Sequence, residues 1–314
     1  MKFPENWHRS GGNMHIKVII NPMANNGRSR ALIPQITQWG ASLGDFSVVT
    51  TTERGHAQQL AREAALAGFD LVVAAGGDGT VHEVVNGLFA ANQPNAKLGI
   101  IPLGSGNDLA FALGIPMDPE TAVSHLTIGQ PRAIDLARIE DENGRSCVVD
   151  NNVGIGFDAM VVVRTEAMQR IQGFLKYLTA VLQCIAFYYD TPYLEMRFDD
   201  EQVAQETLFL AFGIGFRGGG GFLLTPDARL DDNLIDTCLV NPVNRLTMLN
   251  MLGKAIKGTH TTSRHVTMRK NKQIIVKSES PMPIHVDGEL FAYPKDNVRQ
   301  VTITSLPSAI EVIA

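Results

Sequence analysis

The first half of the chain alternates short apolar or β-branched runs with segments of helical composition, and this alternation restricts the folds it can adopt. The run from Asp70 to Ala75 is almost entirely apolar, as expected of a strand buried on both faces. Strands of this kind, separated by helices, form βαβ units around a parallel sheet. The pattern therefore predicts an α/β domain with strands at 17–21, 46–50, 70–75 and 98–101 and helices at 28–43 and 56–66.

From about Ile139 the pattern changes to closely spaced strand-like runs with turn residues between them. Helical segments persist near 158–188 and 243–257, and the strand-like runs lie at 194–198, 207–214, 235–240, 265–269, 274–277, 284–286 and 298–304. This spacing is typical of a mainly antiparallel β sandwich or barrel. We therefore expect an α/β domain at 14–138 and a β-rich domain at 139–305, with the tail 306–314 packing back on the first.

Charge and cysteine content limit the partners and the compartment. The chain has 27 Lys and Arg against 32 Asp and Glu, and its net charge of −5 argues against a nucleic-acid binder. Three widely spaced cysteines indicate a reducing compartment. The first 13 residues lack the apolar stretch of a signal peptide, and the segment Gly173–Tyr189 is too short to span a bilayer. We expect a cytoplasmic protein, and a peripheral position at the inner membrane surface stays open.

Glycines concentrate where the strands of the α/β domain end. Gly76-Gly77-Asp78-Gly79-Thr80 lies between an apolar strand and a predicted helix beginning at Thr80. Glycine gives the backbone access to unusual conformations and lets its N–H groups reach a phosphate, and the helix adds a positive N-terminal dipole. The segment is neither a Walker A motif nor a GxGxxG fingerprint. Taken alone, it also fits an ordinary strand-to-helix turn.

Two further loops follow neighbouring strands. Pro102-Leu-Gly-Ser-Gly-Asn-Asp108 follows the strand at 98–101, and Asn21-Pro-Met-Ala-Asn-Asn-Gly27 follows the first strand. In open α/β sheets ligands bind beyond the carboxyl ends of the strands. Three such loops at one edge predict a phosphate-binding site.

These loops, together with Pro226–Leu234 and Asp287-Gly288-Glu289, resemble the diacylglycerol kinase catalytic-domain family, especially its bacterial lipid kinases. The family is similar to sphingosine kinases and, more distantly, to NAD kinases. The resemblance runs in order over residues 15–313. It implies an NAD kinase-like α/β domain and a β sandwich. It also implies Mg²⁺-dependent transfer of the γ-phosphoryl group of ATP to a lipid hydroxyl, such as that of diacylglycerol, in an interdomain cleft, and hence a place in phospholipid metabolism.

The resemblance also implies the roles of individual residues. Asn21-Pro-Met-Ala-Asn-Asn-Gly27 is longer than the corresponding turn of the family. The metal would take the Asp232 carboxylate and the main-chain carbonyls of Arg229 and Leu234, and Asn233, where the family has Gly, tolerates a left-handed conformation. The metal is either structural or bound to ATP. The implied ATP contacts are Asn21, Pro22, Gly27, Thr51, Gly76, Gly77, Asp78, Gly79, Thr80, Val81, His82, Glu83 and Ser105.

An alcohol acceptor must lose a proton, which requires a carboxylate or similar base near it. Asp287-Gly288 is by itself a hairpin-turn signal. The resemblance implies that Glu289 accepts the proton, with Asp287 as its orienting partner or as the alternative base. Asp135, in a segment that recurs in the family, either steadies the nucleotide side or lies in a surface turn.

The sequence says less about where a lipid would bind. The glycine-rich run 213–224 fits an acyl-chain entrance, or equally a β bulge or mobile loop, and the apolar face of 174–189 is more typical of core packing. Expected partners are a lipid substrate and a transient membrane-surface contact, without nucleic acid, and a homodimer stays open. The alternatives are a soluble-metabolite kinase resembling NAD kinase and a nucleotide-binding regulator without catalysis.

Overall fold

The computed structural model describes residues 14–92, 96–166, 168 and 173–314. These residues form two compact units. The first contains the described residues up to Ile134 together with Ser308–Ala314, and the second contains Asp135–Pro307. For the folding domains themselves we keep 14–138 and 139–305, with 306–314 returning to the first, as a proposal.

The first unit is built on parallel strands. In chain order its elements are β1 (His15–Ile20), a 3-10 turn (Arg28–Leu32), α1 (Ile33–Gly40), β2 (Asp45–Thr50), α2 (His56–Leu66), β3 (Leu71–Gly76), α3 (Asp78–Ala91), β4 (Lys97–Pro102), α4 (Asp108–Leu113) and α5 (Pro119–Ile128). The strand order is β2-β1-β3-β4, and these neighbours pair in parallel. All six residues of β3 are buried. The predicted parallel α/β domain is confirmed.

The predicted helix at 28–43 is not continuous. The structure has a 3-10 turn at Arg28–Leu32 followed by α1, in which Pro34 is the second residue. Proline has no N–H group, and its ring collides with the carbonyl four residues earlier in a continuous helix. A new helix therefore begins just before the proline, where the missing N–H group has no cost.

The second unit is mainly antiparallel. Its elements are β5 (Pro131–Asp141), which starts in the first unit, β6 (Ser146–Val149), β7 (Asn152–Gly156), α6 (Phe157–Glu166), α7 (Gly173–Phe187), β8 (Tyr193–Phe198), β9 (Glu201–Glu206), β10 (Phe209–Gly213), β11 (Ile235–Val240), α8 (Arg245–Ile256), β12 (Val266–Asn271), β13 (Gln273–Ser278), β14 (Ile284–Val286), β15 (Glu289–Ala292) and β16 (Gln300–Ile313). Short 3-10 turns lie at Thr259–Thr262 and Pro294–Asp296.

Two sheets form the β sandwich of this unit. One has six strands in the order β12-β11-β10-β7-β14-β15, each antiparallel to its neighbour. The other includes β9-β8-β13 and the first part of β16, again antiparallel. Helices α6, α7 and α8 pack their apolar side chains in one cluster with residues of the six-stranded sheet. The predicted antiparallel second domain is confirmed.

Several strands were not predicted. The run Glu201–Glu206 is largely polar, and Asn152–Gly156 contains two glycines, so neither has the apolar alternation that indicates a strand. The predicted strand at 298–304 continues to Ile313. Its last part belongs to the first unit, where Val312 pairs in parallel with Leu98 and Ala314 exchanges backbone hydrogen bonds with Gln130.

Helices α2 and α3 approach closely because both present small residues. Four alanines of α2 are buried, and Gly87 of α3 lies against the main chain of α2. A Cβ atom at Gly87 would collide with the Gln58 carbonyl oxygen and lie 2.8 Å from the Ala61 Cβ. The missing side chain therefore sets the spacing of the two helices.

We expect Gly87→Ala to lower the free energy of unfolding by about 1–3 kcal/mol, because the added methyl group must displace a packed helix. The matched control is Gly253→Ala in α8, where an added Cβ meets no atom within 4 Å. That change should raise stability by about 0.5–1 kcal/mol through helix propensity alone. Urea-induced unfolding measures both, and equal effects of the two substitutions would contradict the packing argument.

Candidate functional site

Four loops of the first unit leave the sheet at the same edge. Asn21, Thr51, Gly77 and Leu103 each follow the last residue of one of the parallel strands β1 to β4. Three of the loops keep the backbone hydrogen bonding of the sheet for one more residue, with the N–H groups of Asn21, Thr51 and Leu103 donating to neighbouring strands at 2.8–3.0 Å. The loops predicted to bind phosphate therefore lie side by side at the carboxyl ends of the strands.

The Asp78 carboxylate joins two of these loops. Its Oδ2 accepts the N–H of Asn107 at 2.8 Å, and its Oδ1 accepts the N–H of Asp108 at 2.6 Å. The Asn107 side chain closes the second loop, since its Oδ1 accepts the Gly104 N–H at 3.0 Å and its Nδ2 donates to the Gly104 carbonyl at 3.1 Å. The two glycine-rich segments thus form one connected backbone surface.

The glycines of this surface are required by close approach. A Cβ at Gly104 would collide with the Gly77 Cα, and one at Gly106 would lie 2.6 Å from Asp78 Oδ2. We expected these glycines to supply unusual backbone conformations. This expectation is wrong for Gly76, Gly77, Gly104 and Gly106, none of which has a positive φ. Gly77 and Gly104 instead leave room for two backbones to touch, and Gly76 and Gly106 leave room for the side chains of Thr80 and Asp78.

Helix α3 begins at Asp78, two residues before the predicted start. The N–H groups of Thr80 and Val81 already bond to the Gly77 carbonyl, while the N–H groups of an α-helix's first residues have no partner within the helix. An anion at this end would meet the N–H groups at the start of the helix and the positive end of the helix dipole. The Asn21 amide donates to Thr80 Oγ1 at 3.2 Å and so connects the first loop to the same helix end.

The first loop is shaped by left-handed residues. Asn25, Asn26 and Gly27 have φ values of 50°, 56° and 82°. The Ser29 hydroxyl donates to the carbonyls of Asn21 (2.7 Å) and Ala24 (3.0 Å). Ser29 is almost fully buried and was not predicted as a site residue. Asparagine and glycine are the residues that tolerate this conformation at low cost, so the longer Asn-Asn-Gly sequence forms a defined turn.

The other predicted nucleotide contacts lie in different surroundings. Pro22 and Gly79 are half-buried, Ser105 is exposed, and Thr51, Gly76, Thr80 and Val81 are buried. His82 accepts a bond from the side chain of Asn86 through its carbonyl, at 2.9 Å. The Glu83 carboxylate accepts the N–H groups of Gly55 (2.8 Å) and Ala57 (3.0 Å), so this side chain caps the start of α2. The structure gives Glu83 a local structural role as well.

In the second unit, the Lys270 side chain of β12 lies against the predicted metal loop. The Lys270 Nζ lies 3.1 Å from Asp232 Oδ2, 3.2 Å from Asp236 Oδ2 and 2.9 Å from the Asp227 carbonyl oxygen. Burial raises the pKa of Asp236 to about 6, helped by the charges of Asp232 and Asp227 and opposed by Lys270. Lys270 was not predicted, and only the β11–β12 register, which pairs Asp236 with Lys270, reveals it.

Asp135 supports the same loop. Its N–H donates to the Leu230 carbonyl at 2.7 Å, and its carboxylate accepts the N–H of Asn233 at 2.5 Å. Asn233 has a φ of 63°, the left-handed conformation expected for it. Asp135 is buried, so its interpretation as a surface turn is wrong.

The donor set of this loop fits Mg²⁺, which prefers carboxylate and carbonyl oxygens. The Asp232 carboxylate and the main-chain carbonyls of Arg229 and Leu234 would supply such oxygens. Asp232 Oδ1 also accepts the Leu234 N–H at 3.1 Å, which shapes the turn. A metal bound through Asp232 Oδ2 would have to displace the Lys270 ammonium from that oxygen.

The segment Asp287-Gly288 is the two-residue turn between β14 and β15. Its residues have φ values of 51° and 81°, as in a type I′ hairpin turn. The Asp287 carboxylate is buried and accepts the main-chain N–H groups of Asp150 (3.1 Å), Asn151 (3.0 Å) and Asn152 (2.7 Å). Asp287 is thus fixed as an acceptor of backbone hydrogen bonds. Glu289, the first residue of β15, is only half-buried.

Further side chains of the second unit lie around this turn. His285 Nε2 lies 3.1 Å from Asp158 Oδ2, and the Gly288 N–H points to His285 Nδ1 at 3.4 Å. A Cβ at Gly288 would lie 3.1 Å from the Tyr177 hydroxyl of α7. His285, Asp158 and Tyr177 were not predicted as site residues, since their proximity depends on tertiary packing.

Part of the glycine-rich run of the second unit forms a tight turn. Gly218 and Phe222 exchange backbone hydrogen bonds of 2.8 and 2.9 Å around Gly219 and Gly220, which both have positive φ. The Asn151 side chain donates to the Arg217 carbonyl at 2.9 Å. Phe174 of α7 packs against Phe222, with ring centroids 5.1 Å apart. The run thus connects α7 to the Asp150–Asn152 segment that binds Asp287.

Among the helices of the described ranges, none is long and apolar enough to cross a membrane.

In comparison with known proteins, each of the two parts of the chain matches a family model. Residues 15–139 match the family model of the diacylglycerol kinase catalytic domain, and residues 151–314 match that of the YegS C-terminal NAD kinase beta sandwich-like domain. A probable YegS-like lipid kinase of Chromohalobacter salexigens is 32% identical over 271 residues, which cover 84% of this chain and 85% of that protein. A diacylglycerol kinase of Bacillus subtilis is 30% identical over 277 residues, with 87% and 89% covered.

A solved structure agrees with this fold. The crystal structure of a putative diacylglycerol kinase from Bacillus anthracis aligns over 95% of this chain and 96% of that chain, with a TM-score of 0.78 and 24% sequence identity. This likeness concerns the fold alone. With two domain matches that together span most of its length and bacterial relatives of the same architecture, the chain belongs to the diacylglycerol kinase catalytic-domain family of bacterial lipid kinases.

Proposed function

We propose that this protein transfers the γ-phosphoryl group of ATP to a hydroxyl group of a lipid, such as diacylglycerol, with the help of Mg²⁺. The observation that carries the proposal is the backbone surface formed by the two glycine-rich loops, which Asp78 joins at 2.6 and 2.8 Å. Phosphoryl transfer depends mainly on holding phosphates in place and neutralising their charge. Exposed N–H groups beside a helix N-terminus serve that purpose.

The nucleotide would lie on the first unit. We assign its phosphates to the segment Gly76–Thr80 and to Ser105, and its further contacts to Asn21, Pro22, Gly27 and Thr51. Val81, His82 and Glu83 would contribute from the first turns of α3, with Glu83 also fixing α2. The Asp78 carboxylate keeps the two loops in register, so the N–H groups are in place before a ligand arrives.

The proton of the acceptor hydroxyl would go to Glu289. As the hydroxyl oxygen attacks the γ-phosphorus in line, its O–H bond breaks, the proton passes to the Glu289 carboxylate, and ADP leaves. Asp287 is the weaker candidate because its carboxylate already accepts three N–H groups. We assign Asp287 to orienting the turn that carries Glu289.

Mg²⁺ would be held by Asp232 and by the carbonyls of Arg229 and Leu234. When bound there, it would neutralise the acidic loop. Lys270 of the chain already does part of this through its contacts with Asp232 and Asp236.

A lipid acceptor is supported by the names of the relatives and by a largely apolar cavity in the second unit. A cavity of about 300 Å³ in this unit is lined largely by apolar side chains, among them Ile155, Met160, Leu208, Phe209 and Met282. An acyl chain would be compatible with such a lining.

The overall test is to incubate the pure protein with labelled ATP, Mg²⁺ and a mixed lipid extract, and to identify the labelled product. A labelled lipid supports the proposal. The second unit also matches a domain named for NAD kinase, so NAD serves as the competing acceptor. Label on NAD alone would replace the proposal by a metabolite kinase, and ATP binding without any acceptor would indicate a regulator.

Asp78→Asn should weaken ATP binding by about tenfold or more, because the two N–H groups bond to different carboxylate oxygens and the amide NH2 group that replaces one of them cannot accept a hydrogen bond. The control is Asp118→Asn, since Asp118 caps α5 by accepting the Thr121 N–H at 2.9 Å and asparagine caps equally well. Titration calorimetry measures the affinity. Unchanged ATP binding in folded Asp78→Asn protein would disprove the role of this carboxylate.

Glu289→Gln should lower kcat by about 10²–10⁴-fold, the usual loss when a general base is removed, with unchanged ATP affinity. Asp287→Asn should instead lower the thermal unfolding midpoint, because an amide is a poor partner for three N–H groups. An active Glu289→Gln protein together with a stable but inactive Asp287→Asn protein would reverse the two assignments.

Lys270→Met should lower the free energy of unfolding by about 1–3 kcal/mol in the presence of a chelator. This is less than the loss of a fully buried ion pair, since Lys270 is about a third exposed. Mg²⁺ should then raise the unfolding midpoint of this variant more than that of the unmodified protein. Lys272→Met, at an exposed neighbour, is the control. An equal response to Mg²⁺ in all three proteins would contradict a cation site at Asp232.

A further inference from the structure

Two packed helices of the second unit expose large apolar side chains to solvent. On α7, Leu175 and Phe187 are 63% and 81% exposed, and on α8 Leu246 is 79% exposed. The helices contact each other, and Arg245 of α8 donates to the Ile185 carbonyl of α7 at 2.9 Å. These are not residues at the margin of a core, because the opposite sides of both helices are the buried ones.

On α8 the exposed residues form a single stripe. Leu246, Leu249, Gly253 and Ile256 are spaced three or four residues apart and are all exposed, whereas Met248 is buried. On α7, Leu175 and Leu182 are exposed two turns apart, while Ala180, Cys184 and Ile185 face the core. An α-helix places residues at these spacings on one face. Each helix therefore exposes apolar side chains on its solvent side and also buries apolar side chains on its core side.

The sequence that contains α8 carries only positive charges, whereas Asp190 follows α7 by three residues. Between Thr237 and Ser278 the chain has eight Lys and Arg residues and no Asp or Glu, although its net charge is −5. Arg269 and Lys270 are paired with Glu201 and with Asp232 and Asp236. Arg245, Lys254 and Lys257 lie in or directly after α8, and α7 adds Lys176 without any acidic residue.

We propose that this α7–α8 face binds the surface of an anionic phospholipid bilayer. The leucines and Phe187 would enter the boundary between headgroups and acyl chains, and Arg245, Lys254 and Lys257 would contact lipid phosphates. The inference rests on the proposed function in one respect, since a kinase whose acceptor is a membrane lipid must reach that acceptor in its bilayer. It goes further in naming the surface.

A second copy of the chain fits this face less well. In a two-fold symmetric pair the same patch faces itself, so the lysines and Arg245 of one helix would meet their own equivalents. Neither α7 nor α8 contains an acidic residue to compensate them. An anionic bilayer satisfies both the apolar and the basic parts of the face.

The test is co-sedimentation of the full chain with vesicles, in the absence of nucleotide. Vesicles of phosphatidylcholine mixed with phosphatidylglycerol should bind the protein, and added salt should weaken the binding. Vesicles of phosphatidylcholine alone should bind it much less. The double variants Leu246→Asn with Leu249→Asn, and Lys254→Gln with Lys257→Gln, should each lower the partition coefficient by about tenfold or more.

Ile128→Asn is the matched control, since Ile128 is 71% exposed but lies on α5 of the first unit. It should bind vesicles like the unmodified protein, and circular dichroism should show that all variants are folded. Unchanged binding by both double variants would overturn the proposal. So would equal binding to neutral vesicles, or a leucine variant that changes only the mass in light scattering, which would assign the face to a second copy.

Because no nucleotide is present, this experiment is independent of the kinase assay. A protein that binds anionic vesicles through this face but phosphorylates no lipid would support the inference and contradict the proposed function. A protein that phosphorylates lipid but does not bind the vesicles would contradict the inference and support the proposed function.

Discussion

One physical constraint recurs in both units: a carboxylate accepts main-chain N–H groups from another segment. Asp78 does this for Asn107 and Asp108, and Asp287 does it for Asp150, Asn151 and Asn152. Bonds to a charged acceptor are stronger than bonds between neutral groups, and the N–H groups come from segments far away in the chain. Each carboxylate therefore fixes two loops at once. The remaining features of the candidate site, from the contact between the glycines to the placement of Glu289, depend on these two connections.

Much of the fold could be predicted from the sequence because its signals are local. Buried strands such as Leu71–Gly76 and helices such as His56–Leu66 are recognisable by composition and periodicity. Strands with polar or glycine-rich sequences, such as Glu201–Glu206, were missed because pairing with neighbours stabilises them and no local pattern records it. The helix at 28–43 was predicted as too long because the effect of Pro34 on the preceding turn was not considered.

The candidate site was predictable in its loops but not in its supports. Glycine-rich segments after strands can be recognised in the sequence, and so can the Asp287-Gly288 turn. Lys270, Asp135 and the Asp150–Asn152 segment act on residues that are 34 or more positions away, and only tertiary structure brings them together. The glycines illustrate the difference well. Their positions indicated the two loops that Asp78 joins, yet Gly77 and Gly104 are required by the contact between them, which no single loop contains.

The Lys270 ammonium has a consequence for how the acidic loop behaves in a cell. A free ion is lost when its concentration falls or when a chelator removes it, but an ammonium group on a side chain remains at a high local concentration under all conditions. The loop around Asp232 and Asp236 can therefore reach its folded shape as soon as β11 and β12 pair, without waiting for an ion to arrive. A divalent ion would then meet a preformed loop and compete with a tethered cation. Its occupancy would follow the free concentration of the metal in the cell, while the fold of the loop would not.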